Sequence, residues 1–557
     1  MVTPFNQPPP ELGNTYHHDP VLRPWLERVF ARELLESVEP SLARMGELAG
    51  EELYPLSLED LPNEPVLTRW DAWGERIDHI ELTRLWQRAE QIAAEEGVVA
   101  TAYEAKHGAL SRVHQFALVY LFGPSSDVYA CPLAMTDGCA RSLLDAKNDA
   151  LADQILPHLL SRDPGEFWTS GQWMTESPGG SDVGLSETVA RQDENGQWRL
   201  TGRKWFTSAA TSQVALTLAR PEGNPEGGRG LALFLVKARD EQGRLINIRL
   251  ERLKDKLGTR KLPTAELWLD DTPAELVLGT TDGVKNITPM LNITRTWNTV
   301  IAAGGMRRAV TLARDYAKKR FAFGQNLEDK PLHIETLANM EAETAAAFHL
   351  SFEVVQLLGK KEAGEISPEE MKVWRLLTPI AKLTTGKQAV AVASEALEAI
   401  GGAGYVEDTG LPMLLRDAQT LPIWEGTTNV LSLDSLRAIG HTGGARELLT
   451  RIEACVGGAS GDDALEDAGR AAVDAMMRAL TWLAEAQAAG QDTLEAGARG
   501  FALTLGRSTA LACMVRQAVY SSAHDDARPR AAAIRFARIG VNCLKPTDLE
   551  EARLLIG

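Results

Sequence analysis

A carboxylate standing alone among apolar neighbours is a candidate base, and Glu425 occupies such a place in the run Ile423-Trp-Glu-Gly-Thr-Thr-Asn429. An apolar surrounding disfavours the anion and raises its proton affinity. That is the property needed to take a proton from carbon. A solvated or ion-paired Glu would need no such role. Three other stretches have residue types suited to holding a planar or phosphorylated ligand. In Met174-Thr-Glu-Ser-Pro-Gly-Gly-Ser-Asp182 the glycines permit close backbone approach, and the hydroxyl and N–H groups can bond ring atoms or a phosphate. Its spacing is neither that of a P-loop nor that of a dinucleotide fingerprint. Gly202-Arg-Lys-Trp-Phe-Thr-Ser208 offers an aromatic wall beside a hydroxyl, and Arg320-Phe-Ala-Phe-Gly324 a guanidinium able to clamp a pyrophosphate. Packing, a polar turn and a helix-dipole contact are the corresponding structural readings. The glycines of Ile400-Gly-Gly-Ala-Gly-Tyr405 read as a helix C-cap and turn.

These stretches need elements to position them. After a Pro-, Asn- and His-rich start, the pattern from Pro20 to about Arg162 is mostly helical, with apolar residues three and four apart over 22–35 and 82–96. Between residues 171 and 282, short runs such as Val214-Ala-Leu-Thr-Leu-Ala219 and Leu231-Ala-Leu-Phe-Leu-Val236 lie between Gly, Asn and Asp clusters. They predict a small antiparallel β-domain or barrel. Helical periodicity returns at Val284, with long Ala-rich helices over 294–319 and 381–400. Gly-rich breaks fall at 441–444 and 457–461. The expected organisation is an N-terminal extension and helical domain over 1–170, a β-domain over 171–282, a helical bundle carrying Glu425 over 283–440, and a further helical domain over 441–557.

With 557 residues the chain is long enough for three or four units. Its hydrophobic fraction of 44% and charged fraction of 24% are those of a globular protein rather than a disordered one. A formal charge of −18 argues against a surface that attracts nucleic acid or anionic lipid as a whole. Cys131, Cys139, Cys455, Cys513 and Cys543 are scattered, form no CxxC or Cys/His cluster, and are read as free buried thiols with no metal site. The first ten residues lack the basic start and apolar run of a secretory signal, and the last four carry no peroxisomal or prenylation tag. The expectation is a soluble, cytoplasmic protein without a membrane span.

In their order and separations, the four stretches resemble the acyl-CoA dehydrogenase family across about residues 60–440. The family's Thr-Glu-Pro-x-x-Gly-Ser-Asp loop, Trp-Ile-Thr turn, Arg-x-x-Phe-Gly signature and Tyr-Glu-Gly-Thr base motif find counterparts at residues 175–182, 205–207, 320–324 and 424–427. Departures are Trp424 for the usual Tyr, Ser177-Pro178 in the loop, Pro331 in place of a Gln, and Glu398 in place of a Gln before the Gly-Gly turn. The resemblance implies a mainly α fold with a central β-barrel and a C-terminal four-helix bundle, FAD as cofactor, an acyl-CoA substrate and a homotetramer. It places Met174, Thr175, Trp205 and Thr207 along the flavin ring, and Gly180 and Ser181 at the pyrophosphate or acyl entrance. Arg320 and Phe323, with Gly401 and Gly402 of a neighbouring subunit, take the nucleotide end; Ile423, Thr427 and Asn429 flank the same cofactor. Glu425 becomes the catalytic base, and Arg295 aligns with an Arg near it.

Chain length, the helical extension, Glu251-Arg-Leu-Lys-Asp-Lys-Leu-Gly258 and Phe5-Asn-Gln-Pro8 resemble the AidB branch, named for a bacterial alkylation-response protein. In that branch DNA binding is attributed to the C-terminal domain, which adds a competing function, as does sequestration of an acyl-CoA with little turnover. Residues 441–557 hold 13 Lys/Arg against 15 Asp/Glu, whereas residues 499–545 alone hold eight basic residues against Asp525 and Asp526. Phosphate binding requires clustered cations, and this stretch is the place for them. A solvated face, or one paired with acids of another subunit, is the alternative.

Overall fold

The structure, a computed structural model, describes residues 6–557; Phe5 of the 5–8 signature lies outside them. The chain divides into two compact units. One contains the chain up to Glu52, Ala105–Pro124 and Asn298–Gly557, and the other Leu53–Glu104 and Ser125–Trp297.

The second unit is built on nine strands. β1 (Val66–Trp70) and β2 (Arg76–Glu81) form an antiparallel hairpin in the region expected to be helical. Asp71 explains the departure. Its carboxylate accepts hydrogen bonds from the backbone N–H groups of Trp73 and Glu75, closing a turn that helical periodicity does not register. β3 (Ser170–Trp173), β4 (Val189–Gln192), β5 (Trp198–Ser208), β6 (Val214–Pro221), β7 (Ala232–Lys237), β8 (Ile248–Leu253) and β9 (Thr264–Leu278) make the β-domain. Pairing runs β6–β4–β5–β9–β7 and returns to β6, a closed barrel of five strands, with β3 added to β6 and β8 to β9. The ladder is not purely antiparallel as expected. β3 and β4 both run parallel to β6, because the intervening chain is long enough to cross over. Leu200, Ala215, Phe234, Val236, Leu267 and Leu269 fill the core, small beside large as a narrow barrel interior requires.

In the first unit, Leu22–Val29 and Arg32–Glu47 replace the single helix predicted over 22–35. The chain extends at Ala31 after Phe30, whose ring is buried. The long helices Thr288–Lys319, Pro331–Glu362 and Pro368–Ile400 follow; the boundary between the units falls within the first. Ser367 and Glu370 close a capping box with Pro368 in the first turn, and Gly401 ends the helix. Helices Thr428–Thr442, Ala445–Val456, Asp463–Ala489, Gln491–Ser522, Arg528–Ile539 and Leu549–Ile556 follow, broken at the expected glycine clusters. Cys543 is half-buried, unlike the other four thiols. Among the described residues no helix is long and apolar enough to cross a membrane.

The basic stretch 499–545 is not a free cationic stripe. Arg507, Arg516 and Arg535 pair with Glu343, Glu353 and Glu335 of the Pro331–Glu362 helix, Arg530 with Asp462, and Arg528 with Asp526. Four of these five acids lie outside the counted stretch, so a count along the chain overstates its charge. Glu353 is fully buried between Arg516, at 2.7 Å, and Arg451. Burial works against its anion, but the two guanidinium groups prevail and hold its carboxyl well below the usual range.

Glu353→Ala is expected to leave two poorly solvated guanidinium groups without their shared partner, at a cost of about 3–5 kcal/mol. A lower thermal unfolding midpoint and denaturant midpoint would show it. Because the folded-state pKa is depressed, the stabilisation is present at neutral pH and lost as pH falls through the acid range. The gap between wild type and variant should therefore narrow on acidification.

Candidate active site

The loop after β3 rests on a buried ion pair. Glu176 and Lys204 are both nearly inaccessible, with Lys204 Nζ 2.6 Å from Glu176 Oε1. Lys204 also donates to the Leu218 carbonyl at 2.8 Å. Glu176 further accepts from the backbone N–H groups of Glu187 and Thr188 and from the Thr188 hydroxyl. Burial disfavours this carboxylate, yet Lys204 and the hydrogen bonds hold its pKa below the ordinary value. The neighbouring residue, Thr175, accepts from the Trp205 N–H at 2.9 Å, so the loop and β5 are joined where the flavin-facing residues were expected.

A β-bulge shapes that strand. Lys204 pairs with Leu267 and Thr207 with Ala265, so three steps along β5 oppose two along β9. Gly202 and Lys204 point inward by simple alternation; after the bulge Thr207 takes the inward place, while Trp205 is half-buried and Phe206 exposed. Thr207 donates its hydroxyl hydrogen to the Ala265 carbonyl at 2.6 Å, leaving the oxygen lone pairs as its remaining capacity. Lys254 Nζ sits 3.5 Å from the Trp205 ring centre and the Arg203 guanidinium 4.9 Å from it. Both cations reach the buried Glu266, whose carboxyl is raised by burial but pushed down to about 2 by its bonds to Arg252 and Lys254. Met174 accepts from Gln172, Gly180 packs against Thr175, and Ser181 is exposed. Arg295 lies half-buried on the Thr288–Lys319 helix.

The remaining candidates belong to the first unit. Glu425 lies in the turn between helices Pro412–Ala418 and Thr428–Thr442, with φ of 57°. A non-glycine residue in that region costs on the order of 1–3 kcal/mol and persists only where its surroundings enforce it. Here they do. Gly386 has no Cβ, and one would come within 3.1 Å of the Leu421 carbonyl, so the turn lies directly on the Pro368–Ile400 helix. Buried Lys382, one helical turn before Gly386, donates to the Gly426 carbonyl at 2.7 Å. Gly426 takes φ of 104°, and Thr427 caps the next helix by accepting from the Val430 N–H at 3.4 Å. Glu425 is half-buried, Trp424 likewise, and Ile423 and Asn429 are exposed.

Arg320 continues the Thr288–Lys319 helix through its N–H to Tyr316, then enters a two-stranded hairpin (Phe321–Ala322 and Gln325–Asn326). Phe323 at the hairpin tip is 97% exposed, and Gly401 and Gly402 are exposed with open space where a Cβ would stand. In the barrel unit the half-buried Trp205 indole flanked by cations suits a flat ring, and in the helical unit the open Gly401–Gly402 backbone and the exposed Phe323 tip suit a nucleotide. These residues fit FAD. Lys204, Lys254, Lys382 and Gly386 escaped the sequence reading. Lys204 carried a signal: a lysine on the inward phase of a strand requires a buried acid. Lys382 and Gly386 had none, because their partners come from a turn forty residues later.

Three family models match the chain: the AidB N-terminal domain over residues 6–164, the acyl-CoA dehydrogenase middle domain over 171–272 and the acyl-CoA dehydrogenase C-terminal domain over 281–440. Acyl-CoA dehydrogenase family member 11 of Caenorhabditis elegans is 44% identical over 534 residues, 93% of this chain and 86% of that protein. The chain belongs to the acyl-CoA dehydrogenase family. It is thereby a FAD-dependent oxidoreductase acting on CH–CH bonds. The putative acyl-CoA dehydrogenase AidB of Escherichia coli is 34% identical over 404 residues, covering 70% of this chain and 71% of AidB. The crystal structure of C. elegans ACDH-11 in complex with C11-CoA superposes with a TM-score of 0.95 at 41% identity, over 100% of this chain and 97% of that one.

Lys204→Met is expected to strand the Glu176 carboxylate, cost about 3–5 kcal/mol, and loosen the Thr175–Trp205 junction. Purified protein should then retain less flavin, read as the ratio of visible to ultraviolet absorbance. The double variant Glu176→Gln/Lys204→Met should recover much of the stability; a double variant as unstable as the single one would contradict the pairing.

Proposed function

We propose that Glu425 takes the α-proton of an acyl-CoA thioester in an α,β-dehydrogenation. The observation that carries this reading is the strained, overdetermined turn at Glu425, held by Lys382, Gly386 and the Thr427 cap. Bound FAD supplies the acceptor for the β-hydrogen and its electron pair, which the protein's own side chains lack. The proton goes to the Glu425 carboxylate, and a carbon–carbon double bond replaces two C–H bonds. The Glu425 backbone N–H polarises the thioester carbonyl.

In this reading Met174, Thr175, Trp205 and Thr207 border the flavin ring, and Gly180 and Ser181 the pyrophosphate or acyl entrance. Arg320 and Phe323, with Gly401 and Gly402 from a neighbouring subunit, hold the nucleotide end, and Ile423, Thr427 and Asn429 flank the cofactor. Arg295 tunes the charge of Glu425. The 97% and 90% exposure of Phe323 and Tyr405 favours an assembly of copies, a homotetramer as in the family's usual form, and the proposed compartment is the cytoplasm.

A second reading, acyl-CoA binding with little turnover, is favoured by the similarity to ACDH-11, whose structure holds C11-CoA. The DNA-binding alternative loses support because five of its eight candidate cations are already ion-paired.

Anaerobic titration with acyl-CoAs of graded chain length separates these readings. Bleaching of the flavin at one length marks the dehydrogenase; tight binding without bleaching marks the carrier. Glu425→Gln is expected to keep FAD and slow bleaching by about 10²–10⁴-fold, the usual worth of a positioned base. Unchanged bleaching would move the base elsewhere.

A further inference from the structure

The unit that carries Glu425 also contains a half-open cavity of about 460 Å³ lined by none of the residues assigned to the flavin site. Its walls are largely apolar, with Val21, Ile334, Leu337, Ala342, Met514 and Pro529 among them. This volume lies within the range of small-molecule sites, roughly 300–1,000 Å³. Six polar side chains also reach this lining, and five of them, Arg314, Glu341, Gln517, Arg528 and Arg535, are already ion-paired or hydrogen-bonded. The sixth, His349, is 4% exposed, and its Nδ1 is buried without a hydrogen-bond partner. A buried bond of this kind left unmade costs about 1–3 kcal/mol.

A second, polar cavity of about 310 Å³ shares Pro20, Pro24 and Arg528 with the first. Arg23 lines it with a buried Nε that has no partner and a distant ion pair to Glu39 at 3.8 Å. His17, His18 and His524 also line it, with the Nδ1 groups of His18 and His524 already facing the Leu12 and Tyr520 carbonyls. Three carboxylates also line it. Asp19 is committed to the N–H groups of Val21 and Leu22 and to the Tyr120 hydroxyl, Asp526 is committed to Arg528, and Glu27 is exposed to solvent. Arg528 is in turn neutralised by Asp526, so the lining cation without a close acid is Arg23.

We propose that the two cavities form one site for a single-chain amphiphile with an anionic head, separate from the flavin site. The hydrocarbon chain occupies the apolar cavity, and the head lies in the adjoining polar cavity, met by Arg23. A carboxylate and a phosphate monoester share this chemistry, and the test distinguishes them.

Isothermal titration of the FAD-loaded protein with dodecanoate, dodecyl phosphate and dodecyltrimethylammonium addresses it directly. One or both anions should bind at one per chain, the tighter one identifying the head; the cation should not bind. Binding should leave the flavin spectrum and acyl-CoA bleaching unchanged, which keeps this result independent of the role given to Glu425. Ala338→Trp fills the apolar cavity and should abolish binding, with Ala532→Phe as a second filling variant if the first fails to fold. Arg23→Ala should weaken the anions by about ten-fold or more, the worth of one charge-assisted hydrogen bond. Absence of binding by either anion, equal binding of the cation, displacement by acyl-CoA, or indifference to the folded cavity-filling variant would overturn the proposal.

Discussion

Removing a charge from water is costly, and the buried charges that organise this protein meet opposite ones. In the β-barrel unit, Lys204 and Glu176 join a loop to a strand across 28 residues of sequence. In the helical unit, Glu335, Glu343 and Glu353 project from one helix toward arginines of the C-terminal helices. Arg307, fully enclosed, meets Glu341 at 2.7 Å. Hydrophobic burial supplies the bulk of the driving force, but it is non-directional. The paired charges add a directional requirement: a shifted register would leave an ion unpaired.

The same logic operates on the backbone at the candidate base. A glutamate at positive φ is unfavourable alone, and nothing local would keep it there. The Pro368–Ile400 helix contributes a missing Cβ at Gly386 and a buried ammonium at Lys382, and the following helix begins at once with its Thr427 cap. The barrel unit achieves the equivalent with a bulge, which re-aims Trp205 without interrupting β5. Both devices place a side chain by disturbing a regular element at one point, which lets rigid neighbours define its position.

Much of this was legible beforehand. The strand region, the long helices and the glycine breaks followed from period and punctuation, because burying one face of an element imposes those periods on sequence. The hairpin of β1 and β2 did not, since its turn depends on Asp71 accepting two backbone hydrogen bonds rather than on apolar spacing. The break at Phe30 was equally hidden, as its cause is a ring turned into a core assembled from distant segments.

The sequence by itself determined the family, the central strand region between helical ones, and the identity of Glu425 as the candidate base, because motif spacing and periodicity are properties of the chain. Tertiary structure alone decided the strained turn that holds Glu425, the ammonium beneath it, and the fate of the basic stretch 499–545. Its eight basic residues, set against Asp525 and Asp526, count as six net positive charges along the chain, yet five of the eight are matched by acids in the fold. Charge and proton affinity are set by what lies within a few ångströms, and folding brings those neighbours from elsewhere in the chain.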